Sequence, residues 1–337
     1  MSLVQARALA SLLIISLLAL YAQGAKIVVT FPAYNVVLKE AFPNADVILI
    51  TKGATDPHEY QLTPEDRELL TRLESNDVIV SSAHAPFELR IEELVKQGEI
   101  KAKYIDLTKI QTYLTWDGKE IRLGEGQGHG GVNLHDHGLY PPNVLSLVEA
   151  VSNATGMRPD PNFLDRLKEL DAKYGGKFSG KAVALTPAAQ YLLHWLGYND
   201  VVVLIKEPGV PPTAEDLQKA LQYAKEGAPV VATFARDRNP RLIQMFTEKA
   251  KEAGITPHII EAEFSTSYIS TLEKFVESFR QTPAGNKSVQ VVTPAGNKPA
   301  GATAPSGARS VDAAWLVIAV VVLIAVFAFV LVWRKRK

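Results

Sequence analysis

The sequence predicts an α/β fold of two similar lobes, each a parallel sheet flanked by helices, joined by a long helix and followed by one C-terminal transmembrane helix. Three observations carry that prediction. Short β-branched runs alternate with amphipathic helical stretches, the pattern of parallel strands covered on both faces. Four such strands are followed by an interruption and then by four more. The chain ends on 21 uncharged residues and a basic tail. A length of 337 residues suits about two domains, and 47% hydrophobic against 21% charged residues excludes wholesale disorder.

Residues 1–24 read as a secretory signal: Arg7, an apolar run over 8–20 too short for a comfortable span, and small residues around Gly24-Ala25 for cleavage. An N-terminal lobe is expected over 25–140, with strands at 26–31, 46–51, 77–82 and 103–105 and helices at 33–41, 64–73 and 87–96. The interruption begins with a loop over 124–138, which holds three of the seven His. A connecting helical segment over 141–176 follows, with helices at 143–152 and 160–174. The second of these has prolines at its start and Gly175-Gly176 at its end, and its length suits a passage from one lobe to the other. A C-terminal lobe is expected over 177–281, with strands at 181–186, 200–205, 229–234 and 258–260 and helical stretches at 190–195, 214–226 and 240–253.

Residues 282–312 are rich in Pro, Gly, Ala, Thr and Ser and carry the repeat TPAGNK, so they read as a flexible tether. The span 313–333 covers about 30 Å as a helix, the thickness of bilayer hydrocarbon. Trp315 and Trp333 stand at its two ends, and the tail 334–337 is wholly basic, which places the C-terminus in the cytoplasm and residues 25–312 outside. Asn153 and Asn286 begin glycosylation sequons.

Lys+Arg and Asp+Glu balance at 36 each, so no basic excess argues for nucleic acid. The absence of Cys excludes disulfides, thiolate metal sites, a Cys nucleophile and lipid attachment through Cys. Ligands of two-lobed α/β proteins bind near the carboxyl ends of strands. His58 follows the second strand on a loop constrained by Pro57, and His84 follows the third. His129, His135 and His137 lie in the inter-lobe loop, and Glu261 and Glu263 follow the last strand. Neutral imidazoles with one or two carboxylates and no thiol suit a borderline divalent ion such as Zn2+. His194, inside a helical stretch, and His258, before a strand, read as structural.

Three segments carry a family resemblance over roughly residues 25–281. GATDPHEYQLTPED, from Gly53 to Asp66, HDHGLYPPNVLSLVEAV, from His135, and KEPGVPPTAEDL, from Lys206, resemble motifs of the zinc/manganese-binding proteins of ABC importers. The two lobes of that solute-binding family are joined by one rigid helix. The resemblance implies His58 as first ligand, His137 or His135 as second, and Glu263 or Glu261 as a late carboxylate. The family's third ligand follows the first strand of the second lobe, where this chain has Pro187, which offers no side-chain donor. His84 stands ready to make up the set. The loop over 124–138 is similar to the His-rich loops of the zinc-binding branch, which implies metal collection for His129.

The resulting expectation is a membrane-anchored, monomeric carrier of a divalent metal ion, Zn2+ first and Mn2+ second, that delivers its cargo to an ABC permease membrane subunit. A single span is not itself a channel, and no G-x-x-x-x-G-K-[ST] loop is present, so the chain is not the ATPase. No enzymatic activity is expected. The rival readings are a same-fold carrier of an organic solute or chelate, favoured by Pro187, and a cell-surface metallohydrolase. Against the latter, neither H-E-x-x-H nor G-x-S-x-G occurs. An adhesive surface protein with a vestigial cleft is a further rival.

Overall fold

The strand-forming runs assemble into two four-stranded parallel sheets of identical local order. The structure is a computed structural model that describes residues 24–54, 59–123, 131–135, 137–207, 210–234, 240–263 and 267–281. The chain divides into two units, residues 1–290 and 291–337, and every described residue belongs to the first. The predicted signal, the tether, the transmembrane span and the basic tail lie outside the described residues, apart from Gly24. Among the described residues no helix is long and apolar enough to cross a membrane.

The first sheet runs β2-β1-β3-β4, from β1 (Lys26–Val29), β2 (Asp46–Leu49), β3 (Val78–Ser81) and β4 (Lys103–Asp106). The second runs β11-β10-β8-β9, from β8 (Lys181–Ala184), β9 (Asp200–Val203), β10 (Val230–Phe234) and β11 (Ile259–Glu263). Counted within its own lobe, each sheet has the order second–first–third–fourth, and every neighbour pair is parallel. That order reverses direction between its first and third strands, the point where open α/β sheets hold ligands. A third, antiparallel sheet, β6-β5-β7, is built from β5 (Tyr113–Thr115), β6 (Glu120–Ile121) and β7 (Val132–Asn133). The sequence reading missed it, because strands of two or three residues carry no readable alternation.

The helices are α1 (Pro32–Ala41), α2 (Pro64–Thr71), α3 (Pro86–Lys96), α4 (Pro141–Thr155), α5 (Pro161–Tyr174), α6 (Pro187–Leu196), α7 (Ala214–Lys225), α8 (Pro240–Glu252) and α9 (Tyr268–Arg280). Proline opens seven of them, where its fixed φ suits the first turn and its missing N–H costs nothing. Helix α9 was not foreseen; its buried face is Tyr268, Ile269, Leu272, Phe275, Val276 and Phe279, a helical period behind a Ser/Thr-rich start.

Alternation along the strands divides the core. Ile27, Val29 and Val80 face one cluster, while Val28 and Ile79 face another under α2 and α3. Ala182 and Ala184 of the second sheet join the same central cluster as Ile27 and Val29, whereas Val183 and Leu185 pack under α7 and α8. One apolar core therefore runs through α1, α4, α5, α6 and α9 from sheet to sheet.

The connecting segment holds two helices where two are expected, and Gly156, at φ 75, ends α4 in the left-handed conformation that a side chain disfavours. Of the two, α5 is the one that passes between lobes. Asp160 N–H donates to the carbonyl of Ala41 at one end, at 2.8 Å, and Trp195 Nε1 donates to Asp171 Oδ1 at the other, also at 2.8 Å. A second link is electrostatic. Glu40 of α1 accepts from Ser267 Oγ (2.9 Å) and Tyr268 N–H (2.7 Å), so a first-lobe carboxylate caps the positive end of a second-lobe helix.

Candidate metal centre

His84 is delivered by a tightly held turn between β3 and α3. The Glu88 carboxylate lies fully buried at the third position of α3. It accepts from Ser81 Oγ (2.8 Å), Ser82 N–H (2.8 Å) and Oγ (2.9 Å), His84 N–H (3.1 Å) and Ala85 N–H (3.0 Å). Such a ring of donors satisfies the polar oxygens that burial takes away from water. Between them Ala83 takes φ 54, a left-handed conformation rare for a residue with a side chain, with its N–H donating to Ser81 Oγ at 3.0 Å. The His84 ring stacks on Phe31 at 5.4 Å, and its Nδ1 stands 3.7 Å from Glu88 Oε2. Both Phe31 and His84 leave the strands that flank the switch point of the first sheet.

The segment after β7 carries His135 and His137 between the lobes. Asn133 anchors it: its side-chain amide donates to the carbonyl of Pro187 (2.8 Å) and to Gln190 Oε1 (2.9 Å), while its Oδ1 accepts from His135 N–H (3.0 Å). Gln190 in turn donates to the carbonyl of Thr115 at 2.9 Å. The small sheet is thereby fastened to the start of α6 by buried amides.

His137 is buried, and both ring nitrogens are engaged. Nδ1 faces the carbonyl of Leu134 at 3.2 Å; a carbonyl only accepts, so Nδ1 carries the proton and Nε2 the lone pair. The hydroxyls of Tyr34 (2.8 Å) and Tyr113 (3.0 Å) meet at that lone pair. Tyr34 approaches so closely that a Cβ on Gly138 would lie 2.5 Å from its Cε1, so only glycine fits there. Burial pushes the His137 pKa down to about 3, and the positive charges of His84 and His135 push in the same direction. Burial also holds the Tyr113 hydroxyl well above its ordinary range.

The second lobe offers a different edge. After β8, Thr186 pairs its hydroxyl with that of Thr233 at 2.8 Å, and Pro187 opens α6 with its carbonyl taken by Asn133. After β9, Glu207 brings its Oε2 to 3.0 Å from His135 Nε2, beside a Lys206–Asp216 pair at 2.8 Å. Glu263 is exposed at the end of β11, and its carbonyl accepts from Thr271 Oγ1 at 3.0 Å.

The structure thus places His84 and His135 each within electrostatic reach of His137 and leaves Glu263 exposed on the edge strand. His58 and His129 lie outside the described residues. His194 is paired with Glu120 at 2.8 Å, and His258 is exposed. Among the described residues no three His, Cys, Asp or Glu side chains form a group able to hold an ion by themselves. Sequence reasoning missed Glu207, Glu88, Asn133, Tyr34 and Tyr113. Only Glu88, three residues into a proline-opened helix, had a local signal.

Paired sheets of like order, with imidazoles between their carboxyl edges, define a two-lobed solute-binding protein, and that class is not enzymatic. The chain belongs to the ZnuA family, the periplasmic component A of zinc-uptake complexes, whose sequence profile matches residues 27–282. It is 23% identical over 319 residues to the zinc-binding lipoprotein AdcA of Streptococcus pneumoniae (strain ATCC BAA-255 / R6), covering 81% of this chain. The chain spans 60% of that relative's length. The crystal structure of Zn(II)-bound AdcA from Streptococcus pneumoniae superposes with a TM-score of 0.52 at 20% identity, over 78% of this chain and 58% of the other. A crystal structure of ZnuA gives 0.53 at 16% identity, over 78% of this chain and 99% of the other. These likenesses fix the shared fold.

Proposed function

We propose that the chain is the extracytoplasmic binding component of a divalent-metal ABC importer, with Zn2+ as cargo and Mn2+ as the alternative ion, and that it delivers the ion to a permease membrane subunit. The observation that carries this reading is the match of residues 27–282 to a zinc-uptake family, supported by a buried, neutral His137 that feels the charges of His84 and His135. The proposed ligand set draws on His58, His84, His135 and His137, with Glu263 as the late carboxylate. A borderline ion suits nitrogen and oxygen donors in a chain that has no Cys.

The chain's own residues set the conditions for capture. Glu88 orients the turn that presents His84, as outer carboxylates do for ligating imidazoles. His137 is held neutral by burial, with its lone pair on Nε2, so no proton has to leave it at neutral pH before a cation arrives. Ligands from both sides let an ion favour an arrangement in which they converge, because only differential affinity shifts such an equilibrium. The proposed layout keeps residues 25–140 and 177–281 as lobes and 141–176 as connector. Residues 1–24 act as signal, 282–312 as tether, 313–333 as membrane helix and 334–337 as cytoplasmic tail, with the monomer as working unit.

A competitive titration of the purified full chain with Zn2+ and Mn2+ against a chelating dye tests this. The expected result is submicromolar 1:1 binding that a His58→Ala, His137→Ala double variant loses. Wild-type binding no tighter than the variant's overturns it. The Pro187 carbonyl, tied to Asn133 where the family places a side-chain ligand, then favours a carrier of an organic solute or chelate.

A further inference from the structure

We propose that His135 and Glu207 together supply the second-lobe half of the cation site, standing in for the ligand that Pro187 removes; this rests on the metal-carrier reading. Three features lead there. The first is place. The His135 backbone N–H is bonded to Asn133 Oδ1 at 3.0 Å, and the same Asn133 side chain holds the carbonyl of Pro187 at 2.8 Å. The His135 backbone is therefore tethered beside the position after β8, and β9, which leads into Glu207, is the neighbouring strand of that sheet. The second is spacing. His135 Nε2 and Glu207 Oε2 are 3.0 Å apart. Two donors at the usual 2.0–2.1 Å from a tetrahedral Zn2+ stand about 3.3 Å from each other, so one ion can bridge this pair with little movement.

The third is charge. Lys206, adjacent in sequence, is committed to Asp216 at 2.8 Å and 3.0 Å, so the Glu207 carboxylate keeps His135 as its recorded partner. The Glu207 side chain is 57% exposed and that of His135 15%, so an ion can arrive from the open side while the imidazole stays supported from behind. In the metal-free protein a proton bridges the two groups. A cation that takes the Nε2 lone pair sends that proton to Nδ1 or to solvent, and the carboxylate passes from acceptor to ligand. His137 does different work, turned with Tyr34 toward the first lobe. The two histidines that the sequence could not rank thus serve opposite sides of the cleft.

The test uses the full chain with Zn2+ in competition with a dye and Co2+ as a spectroscopic probe of coordination. Variants are His135→Ala, Glu207→Gln, and Pro187→His combined with His135→Ala. The expected result is a loss of at least tenfold in Zn2+ affinity in each single variant, a changed Co2+ visible spectrum, and recovery of most of the loss when Pro187→His restores an imidazole after β8. A wild type that binds neither ion overturns the carrier reading and this inference with it. A wild type that binds while both single variants bind equally well leaves the carrier reading standing and overturns the inference. A Glu207→Gln variant that lowers only the melting temperature of the metal-free protein, with Zn2+ affinity unchanged, makes the pair a structural ion pair and also overturns it. No recovery from Pro187→His overturns the assignment of the pair to the position after β8.

Discussion

The two sheets have one strand order, but their carboxyl edges are finished in different chemistry. After β3 the first lobe presents an imidazole, backed by a buried carboxylate with five donors and a strained Ala83. The equivalent strand of the second lobe, β10, ends by pairing Thr233 with Thr186, and the strand beside it runs straight into a proline. The first lobe holds His84 in its own turn, whereas beside the second lobe His135 stands on the segment after β7, which Asn133 fastens to the start of α6. In the proposed site this moves a donor from a strand end to a neighbouring loop fixed by buried amides.

The sharpest way to probe that segment is by pH. His137 has a folded pKa of about 3 against an ordinary value near 6.5. The unfolded chain therefore takes up the proton first as pH falls. The contribution to stability is complete above about 6.5 and is lost progressively toward 3, on the order of 5 kcal/mol in the limit. Urea midpoints of the metal-free protein between pH 8 and 4 are expected to fall more steeply for wild type than for His137→Gln. Parallel profiles would show that the segment does not bury its imidazole.

Glu88→Gln attacks the first edge. An amide cannot accept from all five donors, and leaving buried groups unmatched is expected to cost about 3 kcal/mol. Zn2+ affinity should also drop by about tenfold or more through the loosened His84 turn. Denaturation and dye competition on the same sample separate the two losses. The mildest change is Thr186→Val at the second edge, which leaves the Thr233 hydroxyl and N–H to find other partners. It is expected to cost about 1 kcal/mol and to leave metal affinity unchanged. An affinity loss as large as that of Glu88→Gln would mean that the two edges are equivalent after all.

The strands were legible because Ile27–Val29 and Val78–Val80 are uninterrupted apolar runs, and their equivalents in the second lobe read the same way. Helix α9 was equally legible in its period and was lost to a start rich in Ser and Thr. His84 declared itself by following a strand directly. Glu207 did not, because its partner His135 lies 72 residues away and the contact exists only once β9 is seated next to β8. Asn133 is hidden for the same reason, since its partners Pro187 and Gln190 are 54 and 57 residues off. What escaped the sequence is the set of contacts that folding itself creates between distant segments.

The apolar cluster shared by β1 and β8 through α5 has a thermodynamic consequence. Neither lobe owns a complete interior, so excising one would strip water-excluding cover from the other. Heat should therefore melt residues 25–281 in a single calorimetric transition, with the van't Hoff enthalpy matching the measured one. Such all-or-none melting leaves no half-open intermediate for a protease to cut.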